Sequence, residues 1–356
     1  MTKPLDLTKY RSSLTKSIAG ISSGFNDPKF WISTGNYTLN YLLSGDFQQG
    51  IPLGKFTVFA GESGSGKSYI CSGNITKNAQ KMGAQVVLLD SENALDEQWL
   101  IDLGVDTDPQ RLMRIGVSKV DDVAKTLSEF LKQYKDTYGG YDYMDQPPLL
   151  FVVDSLGMLT TPTDEDQFAK GDMKGDMGRK AKQLGALVRN TVNLIANHPV
   201  GIVATNHTYA SQDMFDPDDK ISGGNGPIFA SSIVVAMRKL KLKEDENGGK
   251  VTDVTGIRAV CKVVKTRYSK PFESVEIKIP YSTGMDPYSG LFEFFEKLGL
   301  ITKDGNRHKY VSKTTGEEFK EYKKNWPRRY EVLDLIMKEL DDNSLKVQVT
   351  DADLEE

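Results

Sequence analysis

Apolar runs along the chain predict strands that are buried on both faces of a sheet. The runs are Phe56–Ala60, Ala84–Asp90, Leu149–Asp154 and Val200–Asn206. Segments of helical length separate them, and one of these segments has a helical apolar face of Leu184, Leu187, Val188, Val192 and Ile195. Buried strands that alternate with helices are typical of a parallel sheet with right-handed crossovers. The pattern therefore predicts an α/β fold with a mostly parallel central sheet.

The pattern differs at both ends of the chain. Near the N-terminus, one stripe of a short helix is predicted by Leu5, Leu7, Tyr10, Leu14, Ile18 and Ile21. Such a helix packs either on its own core or on a neighbouring subunit. Towards the C-terminus, alternating residues predict a hairpin of Ile257–Lys265 and Phe272–Ile279, and helices are predicted at Leu291–Leu298 and Tyr330–Leu340. We expect an N-terminal segment at 1–30, a core at 31–285 and a small C-terminal α+β region at 286–356.

Composition narrows the class of protein. The chain has 356 residues, of which 38% are hydrophobic and 26% are charged, and its net charge is −4. This composition is ordinary for a globular protein, and a slightly acidic chain binds nucleic acid only through local basic patches. No apolar run approaches the roughly 20 residues of a membrane span. The two cysteines, Cys71 and Cys261, have no metal-ligand spacing. We expect reduced thiols, a cytoplasmic location and no membrane partner.

A glycine-rich loop follows the first apolar run. Its sequence is Gly61-Glu62-Ser63-Gly64-Ser65-Gly66-Lys67-Ser68, and a helix is expected to follow it. These residues and the next one, Tyr69, are the candidate nucleotide-binding residues. In the pattern G-x-x-x-x-G-K-S, glycines let backbone N–H groups face a polyphosphate, the lysine reaches the β- and γ-phosphates, and the serine hydroxyl binds Mg²⁺. The N-terminus of the helix attracts the same anion. A simple Gly/Ser turn is the alternative, but the preceding strand and the following helix favour a phosphate site.

Polar residues follow the predicted strands where a ligand is expected, beyond the carboxyl ends of the sheet. They are Glu92, Asp154, Ser155, Asn206 and His207. Asp154 can hold Mg²⁺ or its waters, and the alternative is a turn-capping aspartate. Glu92 can orient or deprotonate an attacking water, and the alternative is a solvated loop glutamate.

Together these segments resemble the RecA family of recombinases. The resemblance rests on Ile32–Gly35, Leu88–Asp96, Leu103–Asp106, Val152–Ser155, Gly223–Asn225 and Lys262–Lys265. Two more segments, Thr205–Tyr209 and Met285–Leu291, look like the UvsX-type proteins of tailed phages. The resemblance covers about 31–300 and implies a RecA-type P-loop NTPase core with ATP and Mg²⁺ as cofactors. It further implies a filament on single-stranded DNA that pairs and exchanges strands with double-stranded DNA in recombination, repair and recombination-dependent replication.

The resemblance also implies roles for individual residues. Glu92 matches the family's catalytic glutamate. Asp96 and Trp99 fall on the pair that contacts adenine, with Trp99 in place of a tyrosine, and a flat ring is a reasonable replacement there. His207 stands where bacterial members have a glutamine that senses the γ-phosphate. These positions are therefore expected to surround the nucleotide.

Two cations are implied to act across a filament interface. Lys265 and Arg267 match basic residues that reach the γ-phosphate bound by a neighbouring copy, where they would stabilise phosphoryl transfer. Basic residues on the solvent face of a strand are the alternative. The N-terminal stripe coincides with the family's protomer-joining helix, so the resemblance implies a homo-oligomer, with single-strand-binding and loader proteins as further partners.

Two DNA-binding loops are implied, at about Thr163–Gly178 and Tyr209–Ser222. The candidate DNA contacts are Lys182, Arg189, Met214, Phe215, Gly223, Gly224 and Asn225. The side chains of Met214 and Phe215 can stack on bases or wedge between them. The acidic residues of the second loop are expected to face solvent, and the alternative for that loop is a surface excursion without function.

Two other functions use the same fold. A ring-forming helicase or packaging motor is the first, and the run Glu92–Asp96 argues against it. A non-catalytic ATP switch that loads or caps filaments is the second. The presence of Lys67, Glu92 and Asp154 argues against that alternative.

Overall fold

The computed structural model describes residues 5–17, 26–171, 177–209, 219–245 and 248–342. The helices are α1 (Leu7–Ser17), α2 (Tyr37–Ser44), α3 (Thr76–Lys81), α4 (Glu97–Asp102), α5 (Val120–Tyr138), α6 (Pro162–Ala169), α7 (Met177–Ile195), α8 (Asn225–Ala230), α9 (Leu291–Lys297) and α10 (Tyr330–Asp341). The strands are β1 (Trp31–Ile32), β2 (Ile51–Pro52), β3 (Phe56–Gly61), β4 (Gln85–Asp90), β5 (Leu112–Gly116), β6 (Leu149–Asp154), β7 (Val200–Tyr209), β8 (Lys220–Ile221), β9 (Ile233–Leu242), β10 (Gly256–Lys265), β11 (Ser274–Pro280), β12 (Thr302–Asp304), β13 (Arg307–Val311) and β14 (Glu318–Glu321). A π-helical turn precedes α3 at Tyr69–Ile75.

One large sheet organises the core. Its order is β11-β10-β9-β3-β7-β6-β4-β5, with β8 beside β7. Strands β9, β3, β7, β6, β4 and β5 run parallel, whereas β10 and β11 are antiparallel to their neighbours. The four predicted apolar runs form β3, β7, β6 and β4, which are adjacent at the centre of the sheet. The prediction of an α/β fold with a mostly parallel sheet is confirmed.

Apolar side chains cover both faces of this sheet. In β3, Phe59 belongs to one core cluster, and Phe56, Val58 and Ala60 belong to the opposite cluster, because alternate residues of a strand face opposite sides. Helices α5 and α7 bury their apolar stripes in the second cluster. Burial on both faces explains why these strands have nearly continuous apolar sequences.

A third cluster belongs to the C-terminal region. It joins α9 and α10 to the sheet β12-β13-β14 through Phe292, Phe295, Trp326, Leu333 and Ile336. The two helices predicted in this region are therefore present. The helix at the other end of the chain, α1, leaves Leu7, Tyr10 and Leu14 largely exposed. No helix in the described parts of the chain has the length and apolarity needed to cross a membrane.

One segment predicted as a loop is partly helical. Residues 163–169, the start of the first predicted DNA loop, lie in α6. Helix α6 begins there because Thr161 and Asp164 form a capping box around Pro162, which occupies the first turn. The prediction of a loop at these residues was wrong, and residues 172–176 lie outside the described parts of the chain.

Candidate nucleotide and DNA site

The glycine-rich loop is built between β3 and the π-helical turn. Gly61 ends β3, and a Cβ added there would lie 2.3 Å from the carbonyl oxygen of Met237. Gly64 and Gly66 have φ angles of 73° and 93°, a left-handed conformation that glycine adopts without strain. The sequence therefore permits a tight loop that other residues would widen.

Lys67 lies inside this loop and is buried. Its Nζ donates hydrogen bonds to the carbonyl oxygens of Gly61 at 3.0 Å and of Glu62 at 2.8 Å. Burial lowers the pKa of Lys67, and the carboxylates of Glu92 and Asp154 oppose that shift. Among the described residues, the buried Oγ of Ser65 is one of the polar atoms without a hydrogen-bond partner. Donors gathered in a cradle of glycines fit a polyphosphate.

Asp154 ends β6 close to the same loop, and its side chain is 2% exposed. Thr205 Oγ1 donates to Asp154 Oδ1 at 2.5 Å, and Ser72 Oγ donates to Asp154 Oδ2 at 2.9 Å. Both donors are neutral hydroxyls, so they fix the carboxylate without neutralising it. Among the described residues no group of three His, Cys, Asp or Glu can hold a metal. The oxygen donors of Asp154 and Ser68 fit Mg²⁺ held jointly with nucleotide oxygens and water.

Glu92, Ser155 and His207 meet beyond the strand ends. Ser155 Oγ donates to Glu92 Oε1 at 2.9 Å, and His207 Nε2 lies 3.1 Å from the same oxygen. The distance from Ser155 Oγ to His207 Nε2 is 3.2 Å. In the tautomer that carries the proton on Nε2, His207 donates this hydrogen bond to the Glu92 carboxylate. The structure thus brings two of the predicted catalytic residues, Glu92 and His207, into direct contact.

Asp90 and Arg114 fix the loop that carries Glu92, and neither was a predicted site residue. Asp90 Oδ1 accepts from the backbone N–H groups of Glu92 at 3.1 Å and Asn93 at 2.9 Å. Asp90 Oδ2 accepts from Arg114 at 2.6 Å. Asp90 is fully buried, so a charge-assisted bond to the guanidinium is a strong constraint there.

The predicted adenine residues share the start of one helix. Asp96 caps α4, and its Oδ1 accepts from the backbone N–H of Trp99 at 2.9 Å. The Trp99 ring meets the Tyr69 ring edge to face with centroids 6.4 Å apart. Tyr69 in turn accepts a hydrogen bond from the backbone N–H of Met285 at 3.1 Å. An aromatic wall therefore stands at the helical side of the loop.

Lys265 and Arg267 are not brought to the loop of their own chain. Lys265, the last residue of β10, pairs with Val234 near the start of β9, whereas Gly61 pairs with Met237 further along the same strand. Lys265 Nζ donates to the carbonyl oxygens of Ile228 at 3.0 Å and Phe229 at 2.7 Å. Burial and the nearby Arg267 lower the pKa of Lys265. A role for these cations at a γ-phosphate therefore requires a second copy of the chain.

The candidate DNA contacts lie around α7. Lys182 and Arg189 are exposed and seven residues apart, so they share one face of that helix. Gly223 and Gly224 have φ angles of 84° and 71° and pack on α7, since a Cβ on Gly223 would lie 2.8 Å from Leu184. Asn225 begins α8 and is exposed. Met214 and Phe215 lie outside the described residues.

The second DNA segment is attached to the strand that carries His207. Thr208 pairs with Ile221, and Tyr209 pairs with Lys220. The Ser222 N–H donates to the His207 carbonyl oxygen at 2.9 Å, and Asn206 Nδ2 donates to the Ser222 carbonyl oxygen at 2.8 Å. A displacement of His207 would therefore be felt at Ser222 and the glycines that follow it.

Comparison with known proteins gives a consistent result. A family model described as the RecA N-terminal domain matches residues 26–286. A recombination and repair protein of Enterobacteria phage T4 is 27% identical over 322 residues, which cover 89% of this chain and 77% of the phage protein. Protein RecA of Campylobacter hominis is 27% identical over 338 residues, covering 91% of this chain and 88% of that protein. Protein RecA of Aquifex aeolicus is 27% identical over 288 residues, covering 81% of this chain and 77% of that protein.

Proposed function

This chain belongs to the RecA family, and we propose that it is a DNA-dependent ATPase that forms a filament on single-stranded DNA and promotes homologous pairing and strand exchange. The predicted resemblance to RecA and to the recombinases of tailed phages is confirmed. One observation carries the proposal: Glu92 contacts His207, and the backbone of His207 is bonded to Ser222 at the end of the second DNA segment. His207 and its two hydrogen bonds therefore connect Glu92 with Ser222, the last residue of the second candidate DNA segment.

The chain's own residues supply the parts that ATP hydrolysis needs. Lys67 and the loop N–H groups would hold the phosphates, and Ser68 and Asp154 would hold Mg²⁺. When bound, Mg²⁺ neutralises charge on the phosphate oxygens. Glu92 accepts a hydrogen bond from the attacking water and orients it, and the N–H of His207 holds the Glu92 carboxylate. These roles are supported by the distances that join Glu92, Ser155 and His207.

A neighbouring copy completes the site in this proposal. Lys265 and Arg267 of one copy approach the nucleotide of the next, where they stabilise charge that develops on the γ-phosphate. The exposed stripe of α1 (Leu7, Tyr10, Leu14) joins the copies, because an apolar helix face without a core is stabilised by packing on another surface. ATP binding and filament assembly are therefore coupled.

DNA is held by residues of α7 and of the two loops. Lys182 and Arg189 pair with phosphates, and the turn at 223–225 lies against the DNA strand. Met214 and Phe215 of the second loop stack on bases. Loader and single-strand-binding proteins are further partners in this proposal, and the protein acts in the cytoplasm, where it meets DNA.

The test is ATP turnover with and without single-stranded DNA. We expect DNA to stimulate turnover and Lys67→Ala to reduce it by about 100-fold or more, since it removes a preorganised charge from the phosphates. Lys81→Ala, which changes an exposed lysine at the end of α3, should leave turnover unchanged and serves as the control. Turnover that DNA does not stimulate would contradict the proposal.

A further inference from the structure

A lysine on β9 contacts the phosphate loop from outside. The backbone N–H of Lys239 donates to Glu62 Oε1 at 2.9 Å, and Lys239 Nζ donates to the carbonyl oxygen of Ser63 at 2.6 Å. The same Nζ lies 3.9 Å from Glu62 Oε2. One residue therefore binds two consecutive residues at the tip of the loop.

Strand β9 reaches the loop because it continues past the end of β3. Gly61, the last residue of β3, pairs with Met237, and β9 runs on to Leu242. Lys239 is two residues beyond that last pair. A Cβ added to Gly64 would lie 3.4 Å from Lys239 Nζ, so glycine at this position leaves room for the ammonium.

The bond to Ser63 sets the direction of a loop N–H group. In a trans peptide the C=O and the N–H point in opposite directions. Since the Ser63 carbonyl points outward to Lys239, the N–H of Gly64 points to the inside of the loop, where phosphate oxygens are expected. The ion pair with Glu62 contributes little, because both side chains are 44–46% exposed and the charges are 3.9 Å apart.

Lys239 matters most once nucleotide is bound. Lys67 Nζ, in contrast, donates to the carbonyl oxygens of Gly61 and Glu62, which precede Ser63 in the loop. When Lys67 binds phosphate, its ammonium can redirect donors away from these carbonyl oxygens. Lys239 lies on the outer side and can keep its bond to Ser63 while Lys67 moves.

We propose that Lys239 is a positioning residue for nucleotide binding, which holds the Ser63–Gly64 peptide with its N–H directed at the phosphates. The inference rests on the proposed function of the loop as an ATP site. It predicts a change in nucleotide affinity and not in the rate of the chemical step, because Lys239 acts on the loop and not on the reacting atoms.

The experiment compares Lys239→Met with Lys241→Met in the full chain. Methionine keeps most of the aliphatic stem and removes the ammonium, and Lys241 is exposed on the same strand and the same face. Equilibrium binding of a fluorescent ATP analogue with Mg²⁺ is measured without DNA, followed by kcat at saturating ATP and DNA. We expect K239M to raise Kd about three- to tenfold, the range for loss of one hydrogen bond, with kcat within about twofold of wild type.

Two results would overturn the role of Lys239: equal Kd values for K239M and K241M, whether unchanged or raised, or an unchanged Kd with a lower kcat in K239M. If K239M does not fold, Lys239→Arg replaces it. That variant keeps the charge but shifts the donors. Its Kd for the ATP analogue should be less than tenfold above the wild-type value and measurably higher than the Kd of K241M. A wild-type chain that binds no ATP would instead refute the proposed function, so the two failures are distinguishable.

Discussion

Replacing Ser155 by alanine removes one of the two side-chain donors that hold the Glu92 carboxylate. The lost bond is the 2.9 Å contact from Ser155 Oγ to Glu92 Oε1, and the 3.1 Å contact from His207 Nε2 remains. The Glu92 side chain is 32% exposed, so water can partly replace the serine hydroxyl. The change therefore loosens the orientation of Glu92 without removing it.

The size of the effect follows from the strength of one such bond. A hydrogen bond to a charged group can contribute more, but water replaces part of the lost bond at this partly exposed carboxylate, so we take about 0.5–1.5 kcal/mol for its loss. Since about 1.4 kcal/mol corresponds to tenfold in rate, Ser155→Ala should lower kcat by about 2- to 13-fold. Glu92→Gln removes the group that orients the water and should cost about 100- to 10,000-fold. The two variants therefore differ by at least about eightfold if Glu92 is catalytic and Ser155 positions it.

The assay is steady-state ATP turnover with saturating single-stranded DNA. Ser128→Ala, an exposed serine on α5, is the matched control and should behave as wild type. Wild-type turnover in S155A would show that the hydroxyl does not position Glu92. A loss in S155A as large as in E92Q would also refute the reasoning, because a single positioning bond cannot account for it.

Two further variants test other parts of the structure. A Cβ at Gly157 would lie 2.5 Å from His207 Cδ2, so Gly157→Ala should displace the His207 ring and lower DNA-stimulated turnover. Gly140 has open space around it, so Gly140→Ala is the control and should leave turnover unchanged. Equal turnover in both variants would contradict the role of His207. Burial alone would raise the pKa of the Glu339 carboxyl above its ordinary 4.5. Four hydrogen bonds outweigh burial and lower this pKa to about 2; the donors are the side chains of Ser312 and Tyr310 and the backbone N–H groups of Lys313 and Thr314. This stabilisation is present above about pH 4.5 and is lost as the pH falls towards 2. Glu339→Gln should therefore lower Tm at pH 7, and the difference from wild type should shrink below pH 4.5; a Tm difference independent of pH would contradict this account.

The sequence predicted the strands that are buried on both faces. Strands β3, β4, β6 and β7 have apolar sequences because helices cover both sides of them. Strand β9 was not predicted, although its first half, Ile233–Met237, is an apolar run that is buried on both faces; its second half, Arg238–Lys241, is exposed beyond the end of β3 and breaks the pattern. Strand β5 lies at the edge and exposes Met113 and Arg114. Helix α6 was predicted as a loop because its short sequence lacks an apolar stripe, although its capping box was readable at Thr161 and Asp164.

Site residues at strand ends were predictable, and residues that act through distant contacts were not. Glu92, Asp154 and His207 follow apolar runs, so the topology alone places them near the phosphate loop. The bond from Arg114 to Asp90 joins residues 24 apart in sequence, and the bond from Lys239 to Glu62 joins residues 177 apart. No local pattern encodes such pairs, because they depend on which strands become neighbours. The roles given to Lys265 and Arg267 depend on a second copy and stay predictions.

Electron microscopy of the full chain with single-stranded DNA and a slowly hydrolysed ATP analogue tests the central claim most directly. The claim is that ATP bound between copies controls their grip on DNA. It predicts continuous helical filaments when both ligands are present, and their loss when the nucleotide is omitted or when Lys67→Ala is used. Monomers or closed rings with both ligands at saturation would contradict it.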